Sequence, residues 1–242
     1  MALDDIFFIL LASLALSVSQ RDAPLDVAIR QLRDPKEDIR ATALLGITDR
    51  GKAAASAAAP AVIDMMRTYG WRGRDFDYGC DVLAAAPERA LVALPLLAHY
   101  SVEALEDRNN PVVTFCVQGI MEHVGVEKMP EVIRATVPEA RRWWRDSHHG
   151  PSTAEKTNMA RVVFAQAVRR WGASVIPYVE RGLRDSDPYV RAEAAAVFYD
   201  LEDNAATLLP ILKAALIRER SAWPRYQIQF AIDYLESREK KR

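Results

Sequence analysis

Neither sign of charge is in surplus: 32 Lys and Arg stand against 33 Asp and Glu, a formal net charge of −1. General affinity for nucleic acid or anionic lipid needs an excess of basic side chains, so the composition argues against both, apart from contacts made by a local patch. Cysteine is scarce. Cys80 and Cys116 belong to no Cys-x-x-Cys pair and to no ordered Cys/His spacing, which removes the usual basis for a zinc site. They stand 36 residues apart and are expected to be buried thiols acting as small hydrophobes on adjacent helices, a bridge between them having little support in the spacing. His148 and His149 diverge on a helix, so they need other ligands to hold a metal; no metal and no cofactor are expected. Glycine is scarce too, with 10 residues, and no stretch alternates convincingly at strand period, so helix is expected throughout.

Catalytic signatures are also missing. There is no Gly-x-Ser-x-Gly elbow and no His-Glu-x-x-His pair, and the paired carboxylates sit where helix capping explains them. Gly46 to Lys52 comes close to a phosphate-binding loop, but Ala53 stands where Ser or Thr must reach magnesium, and the segment follows a helix rather than a strand. The chain is therefore not expected to be an enzyme.

What is abundant is proline at regular intervals. Pro24, Pro60, Pro95, Pro130, Pro177 and Pro210 each open an apolar run, at spacings of 36, 35, 35, 47 and 33 residues. A period in this range marks stacked supersecondary units, each too small to bury its own apolar face. A second register supports the first: Leu32-Arg-Asp34, Leu105-Glu-Asp107 and Leu183-Arg-Asp185 each end a helix. Counting from the aspartates, the fifth, ninth and thirteenth residues are Ile39, Ala43 and Ile47 in one copy, Val112, Cys116 and Ile120 in another, and Val190, Ala194 and Phe198 in the third. Apolar positions four apart form one helical face. First helices are predicted over 36–49, 76–86, 110–123, 153–171, 188–200 and 223–238, and second helices over 25–33, 57–69, 88–106, 127–136, 173–184 and 204–218. Asp187 before Pro188 makes a strong helix start, and Asp34 and Asp185 are expected to bond loop amides and to pair with Arg40 and Arg191.

Leu32-Arg-Asp34-Pro35 with Ile39-Arg40 and Ala43, and Leu183-Arg-Asp185 with Pro188, Val190-Arg191 and Ala194, resemble the HEAT-repeat family. The resemblance covers about residues 24 to 216 and is degraded in the third copy, where Val113 replaces the arginine. It implies an all-α fold, a right-handed α-α superhelix of about six helix pairs with the second helices lining the concave side. On that basis residues 21–242 are expected to form one solenoid domain with an irregular insert near 137–152, preceded by a distinct apolar segment over 1–20.

Such a solenoid is expected to act as a non-enzymatic scaffold that binds a protein or peptide partner. Side chains expected to face it are Asp64, Arg67, Glu131, Arg134, Glu180 and Arg181 on the second helices. The irregular loop Tyr69–Gly79 adds Trp71 and Arg74, and the long interval after Pro130 adds Arg141, Arg142, Trp143, Trp144 and Arg145. Trp and Arg dominate interface energetics, although these aromatics equally suit the filling of gaps at distorted repeats. The enzymatic alternative is a HEAT-like DNA glycosylase using Trp143, Trp144 and Asp146; their spacing reproduces no motif, and the balanced charge suits a duplex poorly. The bilin lyases are similar only in their repeats, with nothing here to specify a pigment site.

From Ile6 to Val18 the chain carries no charge and ends in Ser17-Val18-Ser19, which resembles an export signal or anchor and points to an exported or membrane-anchored protein. Asp4 and Asp5 stand where such a signal carries Lys or Arg, and the other reading is a capping helix of a cytoplasmic protein that pairs with the helix after Pro24. Any membrane contact would run through this segment alone. Intact mass and fractionation of natively expressed protein are expected to show a chain starting at Gln20 in an exported fraction; an intact residue 2 in the soluble cytoplasm overturns the export reading.

Overall fold

The structure is a computed structural model and describes residues 23–106, 112–146, 168–198, 201 and 204–240. The apolar segment over 1–20, Asp107 of the third repeat copy and the part of the predicted insert from 147 onward lie outside the described residues. Within them every regular element is a helix. Contacts divide the chain into two compact units, Met1–Ala90 and Leu91–Arg242.

In the first unit α1 (Leu25–Gln31), α2 (Glu37–Asp49), α3 (Lys52–Tyr69) and α4 (Arg74–Ala85) are followed by the single turn α5 (Pro87–Ala90). α2 packs on α4, and α3 on α4, while α1 leans on α2. The turn from α2 to α3 is made at Gly51, whose φ of 79° lies where side chains are disfavoured. α3 starts five residues before its predicted beginning because Ala53–Ala59 is an almost unbroken run of the best helix former. Pro60 therefore stands inside the helix, on its exposed side. The buried side, Ala55, Ala58, Ala59, Val62 and Met66, is small enough for α4 to come close at Gly79, where an added Cβ would meet Met66 Cε at 2.8 Å.

The second unit begins with a 3-10 turn (Leu91–Ala93) leading into α6 (Leu94–Glu106), then α7 (Val112–Glu122) and α8 (Met129–Asp146). Residues 168–171 are helical and lead through Gly172–Val175 into α9 (Ile176–Gly182), α10 (Pro188–Val197), α11 (Ala205–Arg218) and α12 (Ala222–Glu239). α8 runs ten residues past its predicted end. Val132, Ile133, Thr136 and Val137 form its buried stripe, and the helix continues past them through Pro138, which stands on the exposed side. The insert expected near 137–152 is thus helix as far as Asp146. Pro24, Pro95, Pro130 and Pro177 do stand at helix starts, whereas Pro210, like Pro60, is internal.

α10 packs on α12, and α11 on α12, around Val190, Ala194, Phe198, Leu212, Ile228 and Leu235. Ala192 and Trp223 pack together with Tyr189 and Tyr226. The opposite side of α12 exposes Arg225, Gln229, Asp233 and Ser237, a polar stripe four residues apart. One expectation is corrected: Cys80 and Cys116 are disulfide-bonded and neither is a free thiol. Their burial agrees with an apolar role, but burial alone does not distinguish a thiol from half of a bridge.

α9 meets α10 at Gly182, where an added Cβ would lie 2.8 Å from Cβ of Ala194. Neither atom belongs to a flexible chain end, so the backbones themselves must part. Gly182→Val is expected to cost about 1–3 kcal/mol, read as a lower thermal midpoint by circular dichroism, with part of the loss recovered when Ala194→Gly is added. An unchanged midpoint would show that the approach is looser than described.

Candidate functional site

Two loops that share Leu-Arg-Asp and an arginine six residues after the aspartate fold in the same way. Asp34 Oδ1 accepts the amide of Lys36 at 2.8 Å, and Asp185 Oδ1 accepts that of Asp187 at 2.9 Å. Six residues on, the arginine closes each loop from inside: Arg40 Nη1 donates to the carbonyls of Asp34 and Pro35 at 2.7 and 3.0 Å. Arg191 Nη1 does the same to Asp185 and Ser186 at 2.8 and 3.0 Å. The aspartates thus bond loop amides as expected, while the arginines take backbone carbonyls instead of those carboxylates. Their charge partners come from the following segment.

Arg40 Nε donates to Asp75 Oδ2 at 2.6 Å, with both side chains buried at 6% and 5% exposure. Arg191 grips Glu219 through two bonds, Nε to Oε2 at 2.6 Å and Nη2 to Oε1 at 2.9 Å. Oε1 of Glu219 also accepts the amides of Arg220 and Ser221 at 2.9 and 2.8 Å. The bonds from Arg191 hold the Glu219 carboxyl below its ordinary range against the opposing effect of burial, assisted by the Ser221 amide. Burial acts to raise the Asp185 carboxyl, but the Asp187 amide and the Arg134 guanidinium outweigh it and lower it. Asp187 caps α10 by accepting the Tyr189 amide at 2.9 Å, as its place before Pro188 predicted. Val113 is buried where these copies carry arginine.

The two copies differ at their open side. The last residue of α3, Tyr69, lays its ring 3.6 Å from the Arg40 guanidinium carbon and donates its hydroxyl to the Arg33 carbonyl at 3.0 Å. The last residue of α11 is Arg218. Among the described residues no ring lines that place, and a groove of about 480 Å³ opens onto Arg191, Glu219 and Asp185, with Leu183 and Ala215 in its lining. Arg184, Arg218 and Arg220 form its rim. Arg184 pairs with Glu180 at 2.5 Å, whereas among the described residues Arg218 and Arg220 have no carboxylate partner.

The residues singled out from sequence are mostly engaged within the chain. On α3, Arg67 pairs with Asp64 at 3.0 Å on exposed surface. On α8, Glu131 pairs with Lys128 at 2.9 Å, Arg134 reaches Asp185 Oδ2 at 2.8 Å, and Arg141 bonds Asp187 with its guanidinium carbon 5.0 Å from the Tyr189 ring. Arg142 stands 3.2 Å from His99 Nδ1, and Glu180 takes Arg184. Arg181 lies exposed, its guanidinium carbon 5.9 Å from the Tyr178 ring. Arg74 bonds Asp38 and, through its amide, Glu37 at 2.9 Å. Trp71 is buried at 3% exposure, a wall residue of its unit. The side chains of Trp143, Trp144, Arg145 and Asp146 lie outside the described residues, as do His148 and His149.

Sequence reasoning passed over Tyr69 as a lid, Glu219 as the second carboxylate, and Arg218 and Arg220. The carboxylate follows its arginine by 35 residues in one copy and by 28 in the other, so no fixed spacing reveals it. Among the described residues no group of His, Cys, Asp and Glu is placed to hold a metal ion, and no helix is long and apolar enough to cross a membrane. No protein-family model matches the chain, and no curated protein matches its sequence. The class that fold and site define is an all-helical protein with two versions of one arginine-closed loop.

Glu219 and Asp185 have folded-state pKa values below their unfolded ones, so their stabilisation is present above about pH 4 and is lost as pH falls through the folded values. Glu219→Gln is expected to lose about 2 kcal/mol at pH 7 and to show a shallower loss than wild type on acidification. Thermal melts from pH 7 to 3 measure both; parallel pH profiles would show that the pair does not carry the dependence.

Proposed function

We propose that this chain is a non-enzymatic, HEAT-like repeat scaffold that binds a protein or peptide partner on the surface of its second helices, α1, α3, α6, α8, α9 and α11. The observation that carries the reading is the recurrence of one loop, atom for atom at Asp34/Arg40 and Asp185/Arg191, between a second helix and the first helix after it. A loop that repeats with its hydrogen bonds is a structural unit rather than a coincidence of spacing.

The binding surface is argued from how weakly its charges are held. Asp64 with Arg67, Lys128 with Glu131, and Glu180 with Arg184 are pairs three or four residues apart. Exposed pairs of this kind contribute only about 0.2–0.5 kcal/mol each, so a partner with complementary charges can take over either member at small cost. Arg134 differs, since Asp185 is held into its loop and anchors it.

Reversing charge at Asp64, Arg67, Glu131, Arg134, Glu180 and Arg181 together is expected to reduce capture of proteins on the immobilised chain at least about tenfold, measured by quantitative mass spectrometry beside a melting curve. Unchanged capture by a folded variant overturns the assignment of this surface.

A further inference from the structure

The groove beside Arg191 is the open form of a site that the first unit closes on itself. In the first unit three things meet on the arginine: the carbonyls of its own loop, a carboxylate from the next segment, and the ring of Tyr69. The phenol also fills the carbonyl of Arg33, the residue before the loop aspartate. In the second unit the carbonyls and the carboxylate are present, and no ring is among the described residues that line the groove. Arg184 occupies the place of Arg33, and among the described residues nothing donates to its carbonyl oxygen. Among the described residues no ring takes the place of Tyr69 here, because the helix that ends in Tyr69 in one copy ends in Arg218 in the other.

The charges of the groove say what would fill it. Arg191 is matched by Glu219, Asp185 by Arg134, and Arg184 by Glu180. What remains is positive, from Arg218 and Arg220 on the rim. Both carboxylates in the groove are committed to arginines and loop amides, so they stay anionic and engaged at neutral pH. One residue before Arg218, Ile217 is 83% exposed and offers apolar surface beside the cationic rim.

We propose that this groove binds an acidic linear segment of a partner protein through a tyrosine of that segment. The ring lies on the Arg191 guanidinium, the phenol donates to the Arg184 carbonyl, and carboxylates on either side of the tyrosine pair with Arg218 and Arg220. The bound tyrosine does for Arg191 what Tyr69 does for Arg40. The inference takes its partner class from the scaffold reading; Arg134 and Glu180 of that surface also hold Asp185 and Arg184 of the groove, so the two readings are told apart by variants at Asp64, Arg67 and Glu131 on one side and at Arg218 and Arg220 on the other.

The test uses the full chain and a fluorescein-labelled peptide with a central tyrosine flanked by two glutamates on each side, followed by anisotropy. Wild-type protein is expected to bind it more weakly as salt rises, and about tenfold more tightly than the same peptide with Tyr→Ala. Arg218→Glu with Arg220→Glu is expected to reduce affinity at least about tenfold at an unchanged melting point, since neither side chain holds the fold together. A second variant tests the geometry from the other side: Arg218→Tyr restores the lid of the first unit, and is expected to abolish peptide binding while raising the thermal midpoint. Equal binding of a peptide with lysines in place of the glutamates, indifference to the tyrosine, or full binding by both variants overturns the proposal. Displacement of the peptide by equimolar inorganic phosphate also overturns it, because the groove would then be a plain anion site. Unchanged protein capture on charge reversal at Asp64, Arg67 and Glu131 alone, with peptide binding retained, would overturn the scaffold surface and leave this groove standing as an independent site.

Discussion

A buried or half-buried guanidinium that closes a loop from inside is the interaction on which the helix pairs depend. Arg40 and Arg191 each spend their donors on two backbone carbonyls and a carboxylate, so a charge that would be costly to desolvate alone is fully matched. The planar fork matters as much as the charge. One edge reaches two successive carbonyls while the other grips an acid 28 or 35 residues further on, which a lysine ammonium has neither the donors nor the geometry to do. Loop, preceding helix and following segment are thereby held by one side chain, and the alanine and glycine faces of the helices are free to pack closely because the loops do not wander.

Much of this was legible in the chain. The proline period and the Leu-x-Asp register placed nearly every described helix, and the buried faces at Ala43, Ile47, Cys116, Ile120, Ala194 and Phe198 fall on the predicted stripe. The errors are physical and local. Helix propensity in Ala53–Ala59 outran the proline expected to open α3, and α8 continues through Pro138, whose exposed position leaves the buried stripe up to Val137 undisturbed. Periodicity cannot tell a buried thiol from a bonded one, since both look apolar, and so the disulfide bonding of Cys80 and Cys116 was hidden.

The candidate surface was harder to read. Charged residues on the second helices are exposed, Glu180 in part, but nearly all are taken by neighbours three or four residues away or, for Arg134, by the loop after α9, information that spacing contains only in part. Trp71 looked like a contact residue and lies within its unit. The residues that shape the groove, Glu219, Arg218 and Arg220, stand in a stretch with no periodic mark, and their meaning emerges only by laying one loop over the other.

The carboxylate that answers the arginine arrives by two routes. Asp75 is delivered from the first turn of α4, after a connecting loop that begins at Gly70; Glu219 is delivered by the residue that follows α11, with almost no loop at all. The clasp is therefore indifferent to the length of the connection that feeds it, provided an acid reaches the same point. Insertions and deletions can accumulate between helices without shifting their register, which makes these connections the natural places where such a chain diversifies and where a designer can graft new segments.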